Sequence, residues 1–133
     1  MTRHETREQA FILIFESLFR DDTADEIIEL AKENEDFSIN DDVIKMFKGF
    51  IENISEINEK ISKYSEKRQL ERIPKVNIAI IGLAMYESLY MGTPVNVAIS
   101  EAVIIAKKYT YESDVSFING VLGAFSRDTE NKN

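Results

Sequence analysis

The sequence contains no cysteine and a single histidine, and both shortages remove whole classes of chemistry. Without a thiolate, disulfides, thiolate catalysis, zinc–cysteine sites and iron–sulfur clusters are excluded. The one histidine, His4, lies almost at the N-terminus, which argues against a histidine-held metal and a Ser-His-Asp triad. Carboxylates brought together by folding are the remaining route to catalysis. We therefore expect a protein that is not an enzyme and needs no cofactor or metal.

Long hydrophobic runs are also missing. No run approaches the ~18 apolar residues of a membrane helix, and the charged start MTRHETREQ lacks the apolar stretch of a secretory signal. The sequence therefore predicts a soluble, cytoplasmic protein. Because 24 acidic residues face 16 basic ones, the net charge is −8. Binding to nucleic acid would then require a local basic patch or a partner.

Helical periodicity dominates what the sequence does contain. Its 133 residues suit one domain, and 44% hydrophobic residues are typical of a globular protein. Apolar residues recur at helical spacing, and no segment shows the sustained two-residue alternation of a strand. The sequence predicts an all-α fold of six or seven helices in one domain over residues 1–133. Residues 127–133 have nothing to bury and are predicted to form a flexible tail.

The most regular pattern follows Asn40 and Asp41, either of which can cap a helix. Seven apolar residues are spaced 4-3-4-3-4-3, namely Val43, Phe47, Phe50, Ile54, Ile57, Ile61 and Tyr64. This 3.5-residue repeat predicts one long helix in the core of a bundle. A coiled-coil homodimer is the alternative that the sequence leaves open.

Capping and breaking residues mark several helix ends. The segment Thr23–Glu26 has the spacing of a capping box, and Ser113 is a candidate cap for the last helix. Gly92 and Pro94 form a strong stop, because glycine allows a left-handed cap and proline prevents continuation. Gly120 is interpreted as a point of close helix packing, with a ligand role as the alternative.

Two groups of cations are candidates for RNA binding. Arg3, His4 and Arg7 precede an apolar helix, either as a solvated terminus or as an arm that binds RNA phosphates. We expect residues 1–5 of this arm to be disordered until RNA binds, because they have no apolar anchor.

The second group lies at the end of a later helix. Lys107 and Lys108 complement the helix dipole there, beside Tyr109 and Tyr111. These rings either pack in the ordinary way or offer a stacking surface next to positive charge.

Four segments carry a resemblance to a known family. The segment Pro94–Tyr109, PVNVAISEAVIIAKKY, resembles the "P..VAINEAVELAKKF" signature of the NusB family of transcription antitermination factors. Phe117–Leu122 is similar to its "FINGVL" motif, Leu83–Glu87 to "LRLALYE", and Thr6–Ala10 to the opening "AREXA". The motifs occur in the family's order over about residues 3–125.

The resemblance implies an all-helical fold of two small packed bundles and a function without catalysis. NusB pairs with NusE, a ribosomal small-subunit protein, and the pair binds the boxA element of nascent ribosomal RNA leaders as single-stranded RNA. The complex joins RNA polymerase, suppresses premature termination and aids rRNA maturation. Two alternatives remain: a protein-only scaffold of the same fold, and a stand-alone relative of the NusB-like domain of rRNA cytosine methyltransferases.

The resemblance also implies which residues make contacts. Its RNA-binding positions comprise the N-terminal arm, an aromatic of the first helix and the turn between the last two helices: Arg3, His4, Arg7, Phe15, Lys107, Lys108, Tyr109 and Ser113. The NusE-facing surface lies around the connector from Glu71 to Asn77.

Overall fold

The computed structural model describes residues 1–35, 39–66 and 68–130, and this part of the chain contains seven α-helices and no strand. The helices are α1 (Arg3–Ser17), α2 (Ala24–Lys32), α3 (Asp41–Glu52), α4 (Ile54–Tyr64), α5 (Lys75–Tyr90), α6 (Val95–Tyr109) and α7 (Glu112–Glu130), with a 3₁₀ turn at Leu70–Arg72. The predicted all-α class is confirmed. Within the described ranges, no helix has both the length and the apolar character needed to span a bilayer.

The chain divides into two compact units, Met1–Asn53 with α1 to α3 and Ile54–Asn133 with α4 to α7. This division corresponds to the two small bundles of the predicted fold class. A single domain over residues 1–133 stays a prediction.

Side-chain caps begin all three helices of the first unit. The Thr2 hydroxyl accepts from the Glu5 N–H at 3.1 Å, and the Glu5 carboxylate accepts from the Thr2 N–H at 3.3 Å. The predicted arm over residues 1–5 therefore includes the first turn of α1, and its mobility in solution stays a prediction. The capping box at Thr23–Glu26 is confirmed, and Asn40 caps α3 by accepting from the Val43 N–H at 2.9 Å.

The single long helix predicted from the 3.5-residue repeat is wrong, because the chain leaves the helical conformation at Asn53. The Asn53 amide donates to the Gly49 carbonyl at 2.8 Å and so occupies an acceptor at the end of α3. Asparagine and glycine are also weak helix formers. The repeat nevertheless marks buried positions in both helices, among them Val43, Phe47, Phe50, Ile57 and Ile61. The homodimer stays a prediction.

The second unit is built around α5, which is buried on all sides from Asn77 to Glu87. A helix that is apolar all round must be surrounded by other elements, and α4, α6 and α7 all contact it. The stop after α5 is confirmed, because Gly92 has φ +72°. A Cβ there would meet no atom of the described residues within 4 Å, so it is the backbone conformation that favours glycine.

Two expectations for α7 are wrong. Ser113 does not cap it, because α7 begins at Glu112 and Ser113 is exposed in the first turn. Gly120 is exposed, and within the described part of the chain a Cβ there would meet no atom closer than 4 Å, so close packing does not explain this glycine. Of the predicted tail over residues 127–133, residues 127–130 form the end of α7, and residues 131–133 lie outside the described residues.

Candidate nucleic-acid interface

The three N-terminal cations differ in exposure and in their neighbours. Arg3 is exposed, and the His4 ring nitrogen lies 3.9 Å from the Glu8 carboxylate on the same helix face. Arg7 is only 6% exposed, which corrects its predicted place on an open arm. Little of Arg7 is therefore accessible to an RNA phosphate. A role for these three residues in RNA binding stays a prediction.

Phe15 lies in the middle of an aromatic ladder along α1. Its ring stacks on Phe11 with centroids 6.0 Å apart and planes at 7°, and Phe19 meets it edge-on at 5.1 Å. The ladder runs from buried Phe11 to Phe19, which is 63% exposed. Phe19 lies beyond the end of α1 at Ser17. The i, i+4 spacing of the three rings was the signal for a ladder.

In the second unit, cations and aromatic rings share the end of α6. Lys107 and Lys108 are exposed in its last turn, and the Lys108 ammonium lies 5.4 Å from the centre of the Tyr109 ring. Tyr109 is itself 39% exposed. A cation near a ring face is attracted to it electrostatically.

The turn that follows α6 has only two residues, Thr110 and Tyr111. The Thr110 N–H and hydroxyl both donate to the Ala106 carbonyl, at 2.8 and 2.7 Å. Tyr111 stands on this turn with 81% of its surface exposed, and Ser113 is exposed beside it. We call residues 107–113 the α6–α7 surface. It combines two cations, two accessible rings and one exposed carboxylate, Glu112, on a hydrogen-bonded backbone.

The two residues predicted to face NusE differ in exposure. Glu71 is exposed in the 3₁₀ turn, whereas Asn77 is only 1% exposed, which corrects its predicted surface position. Its amide nitrogen donates to the Asp114 carboxylate of α7 at 3.0 Å. The burial depends on α7, which is distant in sequence and therefore invisible to a local pattern.

The titratable pairs of the second unit are structural contacts between helices. The pKa of Tyr64 is raised mainly by burial and further by a hydrogen bond to Asp128. A hydrogen bond to the same carboxylate raises the pKa of Lys63. A hydrogen bond to Glu56 raises the pKa of Tyr90 to about 12. These tyrosines remain neutral at ordinary pH. In the described part of the chain, no cluster of three or more His, Cys, Asp or Glu side chains could hold a metal ion.

Comparison with known sequences gives a consistent family assignment. The family model described as "NusB family" matches residues 4–127. The transcription antitermination protein NusB of Clostridium acetobutylicum is 36% identical over 135 residues, covering 99% of this chain and 100% of that protein. That of Acetivibrio thermocellus is 40% identical over 92% of this chain and 87% of its own length. That of Thermoanaerobacter sp. strain X514 is 50% identical over 80 residues, so the chain spans 57% of that relative.

Solved structures agree with this assignment. T. maritima NusB has a TM-score of 0.83 at 32% identity, covering 96% of this chain and 92% of that one. A structure of antitermination factors NusB and NusE in complex with dsRNA has a TM-score of 0.83 at 22% identity, covering 95% of this chain and 96% of that one, and shows likeness of fold alone. The match over residues 4–127 and the relative that aligns along 99% of the sequence show that this chain belongs to the NusB family.

Proposed function

We propose that this chain is a non-catalytic, RNA-binding transcription antitermination factor. It pairs with NusE and binds boxA of nascent rRNA leaders as single-stranded RNA. Within the RNA polymerase antitermination complex it suppresses premature termination and aids rRNA maturation. Support for antitermination comes from relatives named transcription antitermination protein NusB, and support for NusE and RNA as partners comes from a protein of the same fold whose structure contains NusE and dsRNA.

The observation that carries the proposal is the α6–α7 surface. Lys107 and Lys108 can neutralise phosphates, while Tyr109 and Tyr111 present accessible ring faces. Single-stranded RNA offers unpaired bases that stack on aromatic rings, whereas an A-form duplex keeps its bases stacked within the helix. The combination therefore favours a single strand over a duplex.

A second protein is needed for tight binding. Few cations of this chain are positioned for phosphates, since Arg7 is buried and His4 lies beside Glu8. Two or three phosphate contacts give weak binding with a shallow salt dependence. NusE supplies the missing affinity when the RNA bridges both proteins, because the second contact is then intramolecular.

The test is fluorescence anisotropy of a labelled boxA-like RNA, with and without NusE, at two salt concentrations. A scrambled single strand and a duplex of the boxA-like sequence serve as controls. We expect selective binding of the single strand that tightens when NusE is added. Equal binding of the scrambled strand would contradict boxA recognition, and equal binding of the duplex would contradict single-strand recognition.

A matched pair of variants tests the stacking surface. Tyr109→Ala should reduce discrimination against the scrambled RNA, because base stacking is lost with the ring. Tyr90→Ala is the control, since Tyr90 is in the same unit and is also 39% exposed. Equal effects of the two substitutions would show that Tyr109 has no specific role.

One observation favours a second function, a protein-only scaffold of the same fold. The first unit carries six Lys or Arg against fourteen Asp or Glu, and Arg7 is buried within it. A surface of this charge repels RNA and attracts basic proteins. If the chain bound NusE and, even with NusE present, bound no boxA-like RNA, the scaffold would replace the RNA-binding function.

Whether the chain forms a homodimer is a separate question. Analytical ultracentrifugation over a range of concentrations decides it.

A further inference from the structure

The buried side chain of Asn77 makes a contact that stability alone does not explain. Its amide nitrogen donates to Asp114, but its amide oxygen is buried and accepts no hydrogen bond from any residue that the structure describes. A buried polar atom without a partner costs free energy that an apolar side chain would avoid. The buried amide oxygen of Asn77 therefore destabilises the start of α5, while its amide nitrogen is hydrogen-bonded to Asp114 of α7.

Asp114 is hydrogen-bonded both to Asn77 and to the turn between α6 and α7. Its second carboxylate oxygen accepts from the Tyr111 N–H at 3.5 Å. In return, the Tyr111 carbonyl accepts from the Asp114 and Val115 N–H groups, at 2.9 and 3.0 Å. Asp114 thus performs the acidic half of a capping box, while tyrosine, which has no suitable acceptor, occupies the cap position. A line of hydrogen bonds joins Asn77 in the core to the backbone of Tyr111.

We propose that Asn77 is a positioning residue for RNA binding, which through Asp114 holds the turn that presents Tyr111 to an unpaired base. The inference rests on the proposed function and adds Tyr111 to its stacking surface. A ring whose backbone is already ordered loses less conformational entropy when a base stacks on it. This role explains why a side chain that is 81% exposed stands on a turn that the core holds by hydrogen bonds.

The first test removes the donor with Asn77→Ala. We expect the Tyr111 amide to exchange with solvent about tenfold faster, since hydrogen bonds to charged groups are among the stronger ones. Discrimination between boxA-like and scrambled RNA should fall to that of Tyr111→Ala. Combined with Tyr111→Ala, the Asn77→Ala substitution should cause no further loss of discrimination, because it acts through that ring.

Thr93→Val is the matched control for a general loss of stability. It removes the hydrogen bond from the Thr93 hydroxyl to Glu87 at the opposite end of α5, in the same unit. We expect a lower midpoint of thermal unfolding with unchanged Tyr111 exchange and unchanged RNA discrimination. If Thr93→Val matched Asn77→Ala in both readouts, the effect of Asn77 would be stability alone and the inference would be overturned.

A reversal of donor and acceptor tests the bond itself. Asn77→Asp alone places two carboxylates against each other and should disturb the turn most. In the double variant Asn77→Asp, Asp114→Asn, the amide introduced in α7 donates to the carboxylate introduced in α5 and still accepts from the Tyr111 N–H. We expect the double variant to recover both the slow exchange of Tyr111 and the RNA discrimination that Asn77→Asp loses.

The outcomes separate the inference from the proposed function. If the unaltered protein with NusE showed no selective RNA binding, the proposed function would fail and the role of Asn77 in RNA binding would fail with it. If the unaltered protein were selective and Asn77→Ala left Tyr111 exchange or discrimination unchanged, the inference alone would be overturned.

Discussion

The two units of the chain differ sharply in charge and in the kind of aromatic residue they contain. Residues 1–53 carry six Lys or Arg against fourteen Asp or Glu, whereas residues 54–133 carry ten of each. The whole net charge of −8 therefore belongs to the first unit. All five tyrosines lie in the second unit, while six of the eight phenylalanines lie in the first. The acidity of the whole chain thus says little about the unit that carries the α6–α7 surface.

The excess of carboxylates in the first unit is also seen in the neighbours of its cations. Several cations of the first unit pair with nearby carboxylates, in the pairs Arg20–Asp22, Arg20–Glu16, Lys32–Glu29 and Lys48–Asp25. The hydrogen bond to Asp25 raises the pKa of Lys48, and that to Asp22 raises the pKa of Arg20. An RNA phosphate would have to compete with these carboxylates. In the second unit Lys63 likewise pairs with Asp128, but cations and carboxylates are equal in number there, so this unit as a whole repels RNA less.

The largest expected effect is a loss of stability in the first unit. Phe47→Ala removes a fully buried ring and should lower the free energy of unfolding by about 3–5 kcal/mol. Urea unfolding followed by circular dichroism measures it. Tyrosine fluorescence reports on the second unit alone, because the chain has no tryptophan and no tyrosine in residues 1–53.

Phe125→Ala is the counterpart in the second unit, where its ring is equally buried. It should cost a similar free energy and must change the tyrosine signal, since Tyr64 packs edge-on against Phe125 at 5.7 Å. A cost below about 1 kcal/mol for Phe47→Ala would contradict its place in a packed core.

The next largest effect is on RNA affinity, which should respond to lysine substitutions in the second unit and not in the first. Lys107→Ala, Lys108→Ala should weaken binding of boxA-like RNA about tenfold, or about 1.4 kcal/mol. If each lysine neutralises one phosphate of a single strand, the salt slope should fall by about 1.4. Anisotropy titrations at several salt concentrations measure both quantities.

The control is Lys32→Ala, Lys45→Ala, which makes the same change of net charge in the first unit, where both lysines are exposed. It should leave the salt slope unchanged. The same decrease in slope for both double variants would show that RNA responds to the total charge and not to the α6–α7 surface.

A smaller effect concerns how helices begin in the two units. All three helices of the first unit have side-chain caps, whereas α5 and α6 follow Pro74 and Pro94 without one. Asn40→Ala should therefore cost about 1 kcal/mol of stability. Ser113→Ala should change the stability by less than about 0.5 kcal/mol, because Ser113 is exposed and is not a cap. Equal costs in urea unfolding would contradict this difference.

The capping residues show which parts of the fold can be predicted from sequence. Thr23–Glu26 and Asn40 were identified correctly because a cap involves residues within one helical turn. The repeat through Ile57 and Ile61 identified buried positions for the same reason. It failed to separate α3 from α4, since one asparagine ends a helix without disturbing the spacing of its neighbours.

The candidate site was less predictable than the fold. Lys107 and Lys108 were placed correctly at an exposed helix end, because helix length and charge are local properties. Arg7 and Asn77 were expected at the surface and are buried. Asn77 is hydrogen-bonded to Asp114 of α7, which is distant in sequence, and the resemblance carried over residue positions without that packing.

The smallest expected effect is a change in the pKa of one tyrosine of the second unit, Tyr90. The hydroxyl of Tyr90 donates to Glu56, which raises the pKa of this phenol to about 12 from an ordinary value near 10. A raised pKa means that folding favours the neutral phenol. Its contribution to stability is therefore complete below about pH 10 and is lost as the pH rises from about 10 to about 12. Glu56→Gln should lower this pKa towards 10, as measured by phenolate absorbance, while Glu59→Gln, at an exposed position of the same helix, should leave it unchanged. A titration curve that Glu56→Gln did not alter would show that this hydrogen bond does not persist in solution.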